Sequence, residues 1–256
     1  MSMNSRWLCL SLLSLGMSGC GDPSPTRLVF SLNTASVGAS SLPVPASGVH
    51  AMTDPAGPPE IMSSDGMSFA LNEVRMEVAD IRVELGGGMR CGDLSDPLPQ
   101  GTGCEQPEGS PATLTLAGPF SIDLSTGKAW KGGELRLPPG TYRRVSFVLG
   151  EGGFSARTRS LDGQSWNMTI FLSGGTVMGF ESPHDVRLEE GGLLHVTFVH
   201  SQWLTDLPLG ACYRNGNLSR VGSEMVLDNA TGACEGALEK ARDAIRTRGR
   251  VSVRSP

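Results

Sequence analysis

The chain has 256 residues, 39% hydrophobic and 18% charged, which is enough for one sizeable β-sandwich or two small domains of ordinary globular composition. Its formal net charge is -5, so no electrostatic footprint attracts nucleic acid, whose phosphates call for a basic face. No fixed-period repeat is visible among the 34 glycines and 17 prolines.

The first twenty residues carry a localisation signal. Arg6 is a positive start, 7–15 (WLCLSLLSL) is an apolar run, and small residues lead into Met17-Ser18-Gly19-Cys20. Nine residues rise only about 14 Å as a helix, roughly half a bilayer core, so the pattern fits a cleaved export signal over 1–19 rather than a membrane span. MSGC resembles the bacterial lipobox, with Met17 in place of the usual Leu. The resemblance implies cleavage before Cys20, acylation of that cysteine, and anchoring by its acyl chains, since two lipid signals hold a protein on a membrane. Gly21 in place of Asp after Cys20 favours the outer membrane over the inner by analogy with lipoprotein sorting, with the protein facing the periplasm or the exterior. Removing 1–19 takes away Arg6 and no acid, leaving -6 on the mature chain.

Six cysteines agree with export. Cys9 leaves with the signal and Cys20 carries lipid, so Cys91, Cys104, Cys212 and Cys234 remain for two disulfides in an oxidising compartment. Each of the local pairs, 91 with 104 and 212 with 234, brackets a Gly/Pro/Asn-rich stretch without strand pattern, and local pairing is the favoured connectivity. The set has no C-x-x-C and no histidine at ligand spacing, so no metal site is expected from it.

In chain order, 20–27 is a polar lipid tether and 28–32 the first strand. Residues 34–66 hold five prolines and read as a long loop or disordered insertion. Residues 67–85 fit two patterns. Val74, Val78, Ile81 and Leu85 match a helical stripe, whereas Val74, Met76, Val78 and then Ile81, Val83, Leu85 match strand alternation with one slip at Ala79-Asp80. The β-rich surroundings and the Gly86-Gly87-Gly88 turn favour a strand with a bulge. Further strands are expected at 113–117, 120–124, 134–137, 141–149, 153–159, 165–172, 175–180, 185–188 and 193–200, separated by Gly- or Pro-rich turns. Short strands at close spacing point to a sandwich or barrel. The pattern changes after 201. A cysteine-bracketed extension over 202–256 holds one helix at 236–248, with Leu238, Ala241 and Ile245 on one side, and a closing strand at Val251-Ser252-Val253. The basic residues of this tail read mainly as a solvated face.

Two stretches, FALNEVRMEVADIRVEL (69–85) and FSIDLS (120–125) followed by LRLPPGTYRRVSFVLG (135–150), together resemble an uncharacterised family of bacterial lipoprotein β-sandwich domains with an L-P-x-G-x-Y turn. The resemblance covers 28–200 and implies an immunoglobulin- or transthyretin-like β-sandwich at a surface or periplasmic location. It transfers no active site. The turn delivers Tyr142 to a core strand with Val145, Phe147 and Leu149 on one face.

Catalytic motifs are missing: there is no HExxH, GxSxG, GxxxxGK[ST] or GxGxxG. His50 lies in the Pro-rich stretch and His184 borders a turn, while His195 and His200, five apart in one expected strand, face opposite sides. Glu181, Asp185, Glu189 and Glu190 cluster at strand ends without calcium-loop spacing and read as solvated turn carboxylates. Trp130, Trp166 and Trp203 are few for a sugar platform, and one or two belong in the core. The expectation is therefore a non-catalytic binding or structural module of the cell envelope, without cofactor or metal, whose partner is an envelope protein or glycan. The alternative is an envelope hydrolase or carbohydrate-binding protein with a dispersed site.

Overall fold

A computed structural model describes residues 25–32, 57–95, 97–161 and 166–254. The signal segment, Cys20, His50 and most of the tether and of 34–66 lie outside the described residues. In chain order the strands are β1 (Arg27–Leu32), β2 (Glu60–Met62), β3 (Ser68–Leu85), β4 (Thr102–Glu105), β5 (Thr113–Asp123), β6 (Lys128–Lys131), β7 (Gly140–Ser160), β8 (Asn167–Leu172), β9 (Val177–Leu188), β10 (Leu193–Phe198), β11 (Ser219–Val221), β12 (Glu224–Val226) and β13 (Gly249–Arg254). Two helices, α1 (Leu209–Arg214) and α2 (Ala237–Thr247), interrupt the tail.

The molecule is mainly β, as expected, and its strands form two open sheets. The small one runs β1-β10-β13, with β1 parallel and β13 antiparallel to β10. The large one follows β11-β12-β8-β7-β3-β5-β4, with β2 on β3, β6 on β5 and β9 on β7. Strand alternation sends Leu28, Phe30 and Leu32 of β1 and Leu194, Val196 and Phe198 of β10 inward, as a period of two requires. They meet the large sheet in an aromatic cluster. Phe30 lies edge-on to Phe147 at 5.2 Å, Phe198 to Phe180 at 5.1 Å, and Phe154 stacks on Phe198 at 6.0 Å, spacings at which offset and T-shaped ring pairs are favourable.

Residues 67–85 are strand. The anticipated slip is a bulge, since Val78 pairs with Phe120 and Asp80 with Ala117, leaving Ala79 exposed. Opposite it, a Cβ on Gly118 would lie 2.6 Å from the Val78 carbonyl, so only glycine allows the two backbones to approach this closely.

Four expected strand boundaries need correction. Strands 113–117 and 120–124 are one strand, β5, and 141–149 and 153–159 are one strand, β7. The glycines at 150–153 make a bulge instead of a hairpin turn. Val78 pairs with Leu149 and Met76 with Phe154, so 150–153 stand opposite the single residue Glu77. The bulge also divides the far edge of β7, with β9 pairing 140–148 and β8 pairing 154–159. For the same reason 175–180 and 185–188 fuse into β9. Residues 134–137 form no strand: Arg136 makes one isolated bridge to Arg27, and Pro138-Pro139 has no N–H with which to extend it.

Tyr142 is fully buried and donates its hydroxyl to the Pro138 carbonyl at 2.5 Å. This corner pins the turn to the strand that follows, and burial pushes the phenol pKa up.

The end of the presumed insertion is ordered structure, because β2 pairs with β3. The tail is woven into the sandwich: β12 joins β8 in the large sheet, and β13 completes the small one. It holds two helices where one was expected. α2 buries Ala237, Ala241 and Ile245, and the half-buried Leu238 packs against the same core. Both disulfides join the expected pairs, Cys91 to Cys104 and Cys212 to Cys234, at Cα separations of 5.8 and 6.0 Å, within a disulfide's reach.

Candidate functional site

The β7 bulge shapes a groove on the outer face of the large sheet. Alternation puts Val74, Met76 and Val78 of β3 in the core and turns Glu73, Arg75 and Glu77 outward. β6, paired with β5, holds Trp130 beside them with 56% of its surface exposed. The Arg75 guanidinium lies 5.6 Å from the indole centroid, a cation–π distance. Glu73 fixes that arginine at 2.8 Å and Arg157 of β7 at 3.0 Å. Glu77 lies against Gly150 and Gly152 of the bulge, where an added Cβ would come within 2.7 and 3.0 Å of its carboxylate oxygens. Among the described residues Glu77 has no hydrogen-bond or ion-pair partner. The groove, about 240 Å³, is completed by Ser121 and Ser155.

This combination offers one open aromatic face, a carboxylate free to accept hydrogen bonds, a tethered guanidinium pair that donates them, and hydroxyls that do either. A pyranose presents the complementary surface, with a C–H face that packs on indole and a rim of hydroxyls.

The residues singled out from sequence are dispersed. His184 sits mid-strand in β9, exposed, rather than beside a turn. His195 is in β10, but His200 is in a 3-10 turn after that strand, so the two do not share a strand. Burial holds the His195 imidazole below its usual pKa, helped by the charge of Arg254; burial alone does so for His200, which packs near Trp203. Among the described residues no hydrogen bond or ion pair joins a histidine to a carboxylate. Glu181 faces Arg144 at 3.5 Å, Asp185 accepts from the Gly87 N–H at 2.7 Å, and Glu189 lies 3.9 Å from Arg187; Glu190 is exposed. No cluster of three metal-ligating side chains occurs among the described residues.

The tryptophans separate by role. Trp203 is core, edge-on to Phe154 at 5.8 Å. Trp166 packs against Tyr213, with Arg220 at 4.4 Å. Trp130 alone of the three is exposed. Sequence reasoning missed its partners, although the alternation of NEVRMEV already places 73, 75 and 77 on one face.

No helix among the described residues is long and apolar enough to cross a membrane. No protein-family model matches the chain, and neither a curated protein nor a solved structure matches it.

Proposed function

We propose that this is an exported, lipid-anchored, non-catalytic binding module of the cell envelope that takes a glycan in the Trp130 groove. The observation that carries the reading is an exposed indole on a sheet face, framed by Arg75, the Glu73–Arg157 pair and the unpartnered Glu77. Supporting the location are the apolar segment ending in MSGC and two disulfides, which persist in oxidising compartments. The half-buried His195 adjoins an arginine and the buried His200 a tryptophan, which favours binding over hydrolysis.

Titration of the protein with envelope polysaccharide fragments, followed by tryptophan fluorescence, tests the groove. Trp130→Ala is expected to weaken binding about tenfold or more, the effect of losing an aromatic contact of roughly 1.5 kcal/mol, and to leave the melting temperature unchanged. Equal binding by wild type and Trp130→Ala, or none by wild type, ends the glycan reading. Anchoring is tested separately. Cys20→Ala is expected to abolish incorporation of labelled lipid and to release the protein from membranes; unchanged partitioning would refute it.

A further inference from the structure

The outer face of the small sheet carries a second cleft, of about 460 Å³, unlike the groove in charge. The register aligns Val29, His195 and Ser252 in one row and Ser31, Thr197 and Arg250 in the next, so alternation presents these side chains on the face opposite the aromatic core. Arg254 follows two places after Ser252. Across the cleft the β5–β6 turn contributes Ser125 and Thr126.

Every charged group lining this cleft is basic. Arg250 and Arg254 belong to β13 and are exposed. Neither has a carboxylate partner among the described residues, although most arginines of the large sheet's face do. His195 reaches the same cleft with its Nε2 buried and without a hydrogen-bond partner. A buried polar atom left unmade costs on the order of 1–3 kcal/mol. On a chain of net charge -5, a concave surface with two unpaired guanidinium groups and several hydroxyls is a local inversion of sign.

We infer that this cleft binds a phosphate group, held by Arg250 and Arg254 with hydrogen bonds from Ser31, Thr126 and Ser252, beside the His195 ring. Guanidinium forks match phosphate oxygens, and hydrogen bonds to an ionised acceptor are the strong ones. Hydroxyls complete the shell without adding charge. The inference stands independently of the glycan groove, which lies on the other sheet and shares no residue with this cleft.

The phosphate can be soluble or part of a lipid headgroup, and two arms distinguish them. In the first, the full chain is titrated with inorganic phosphate by calorimetry, with the His195 imidazole followed by NMR. The charged groups lining the cleft around that ring are Arg250 and Arg254; β1 adds Arg27, two places before Val29 on the same face and ion-paired to Glu134 at 3.3 Å, and the β5–β6 turn offers none. A bound anion therefore raises the imidazole pKa from its depressed position. In the second arm, binding to phosphatidylglycerol vesicles is compared with binding to phosphatidylcholine vesicles, so that any lipid anchor contributes equally to both.

Arg250→Gln and Arg254→Gln are each expected to weaken phosphate binding about tenfold, and Arg82→Gln, on the large sheet, to leave it unchanged. Phosphate binding without a phosphatidylglycerol preference assigns the site to soluble phosphate esters. A preference of about fivefold per arginine, lost in the double variant, assigns it to headgroups. The inference is overturned if wild type shows neither binding nor preference, if the double variant keeps either at wild-type strength, or if phosphate binds without moving the His195 titration.

Discussion

The two disulfides close loops of comparable length in very different surroundings. Cys91 and Cys104 stand 13 positions apart and both remain partly exposed. Their loop covers the start of β7 with the buried Leu94, beside the half-buried Met89 that precedes it, and it pairs with the large sheet through β4, an edge strand. Cys212 and Cys234, 22 positions apart, are both fully buried. Between and around them Leu207, Leu209, Met225, Leu227 and Ala230 belong to the main core. Closing either loop removes similar chain entropy from the unfolded state, about 3 kcal/mol by loop length. The difference lies in the folded state, where one bond staples a surface and the other is itself core volume.

Removal of each bond separates these roles. Cys212→Ala with Cys234→Ala is expected to cost about 5 kcal/mol, because a cavity is added to the lost cross-link. Cys91→Ala with Cys104→Ala is expected to cost about 2–3 kcal/mol and to expose 92–103 to proteolysis while the rest resists. Chemical denaturation of the two double variants measures both. Equal losses, or the reverse order, would mean that burial of the second bond contributes nothing.

From the sequence alone the two brackets look alike, as strand-poor stretches too polar to hold their own ends. The second does not need to, because Trp203, Leu204, Leu207 and Leu209 pack into a core made by distant strands. Their spacing follows neither 2 nor 3.6, so no local pattern announces their burial. Where alternation is strict, as in 67–85, both the strand and its bulge were legible. Glycines were the main source of error: in β7 a strand passes through 150–153 because β3 continues alongside, and only the partner distinguishes bulge from turn. The groove was half legible for the same reason. Trp130 stood out as a residue, but Arg75, Glu77 and Arg157 reach it through register across three strands.

The smallest expected effect concerns how the second bracket is tied to β2, through Asp65 at the end of the stretch expected to be loop. Its Oδ1 accepts from the Ser63 hydroxyl at 2.7 Å and the Gly210 N–H at 3.2 Å, and its Oδ2 from the Ala211 N–H at 2.5 Å. The carboxylate thereby satisfies the first donors of α1, which have no partner within the helix. Burial acts to raise the Asp65 pKa, but the hydrogen bonds from Ser63, Ala211 and Gly210 together carry it below the usual value. A depressed folded pKa means that the carboxylate stabilises the protein in full above the unfolded value of about 3.9, and that this contribution is lost as pH falls through the folded pKa. Asp65→Ala is therefore expected to cost about 1–2 kcal/mol at neutral pH, the usual effect of deleting a helix cap. The gap to wild type should stay constant down to about pH 5 and shrink below about pH 4. Cys91→Ala/Cys104→Ala should add to it independently, since that pair touches none of these groups. Denaturation midpoints across this pH range decide the point. A gap that persists undiminished at the acid end would show that Asp65 acts by packing rather than as an anion, and no gap at neutral pH would show that the tail docks on β2 without it.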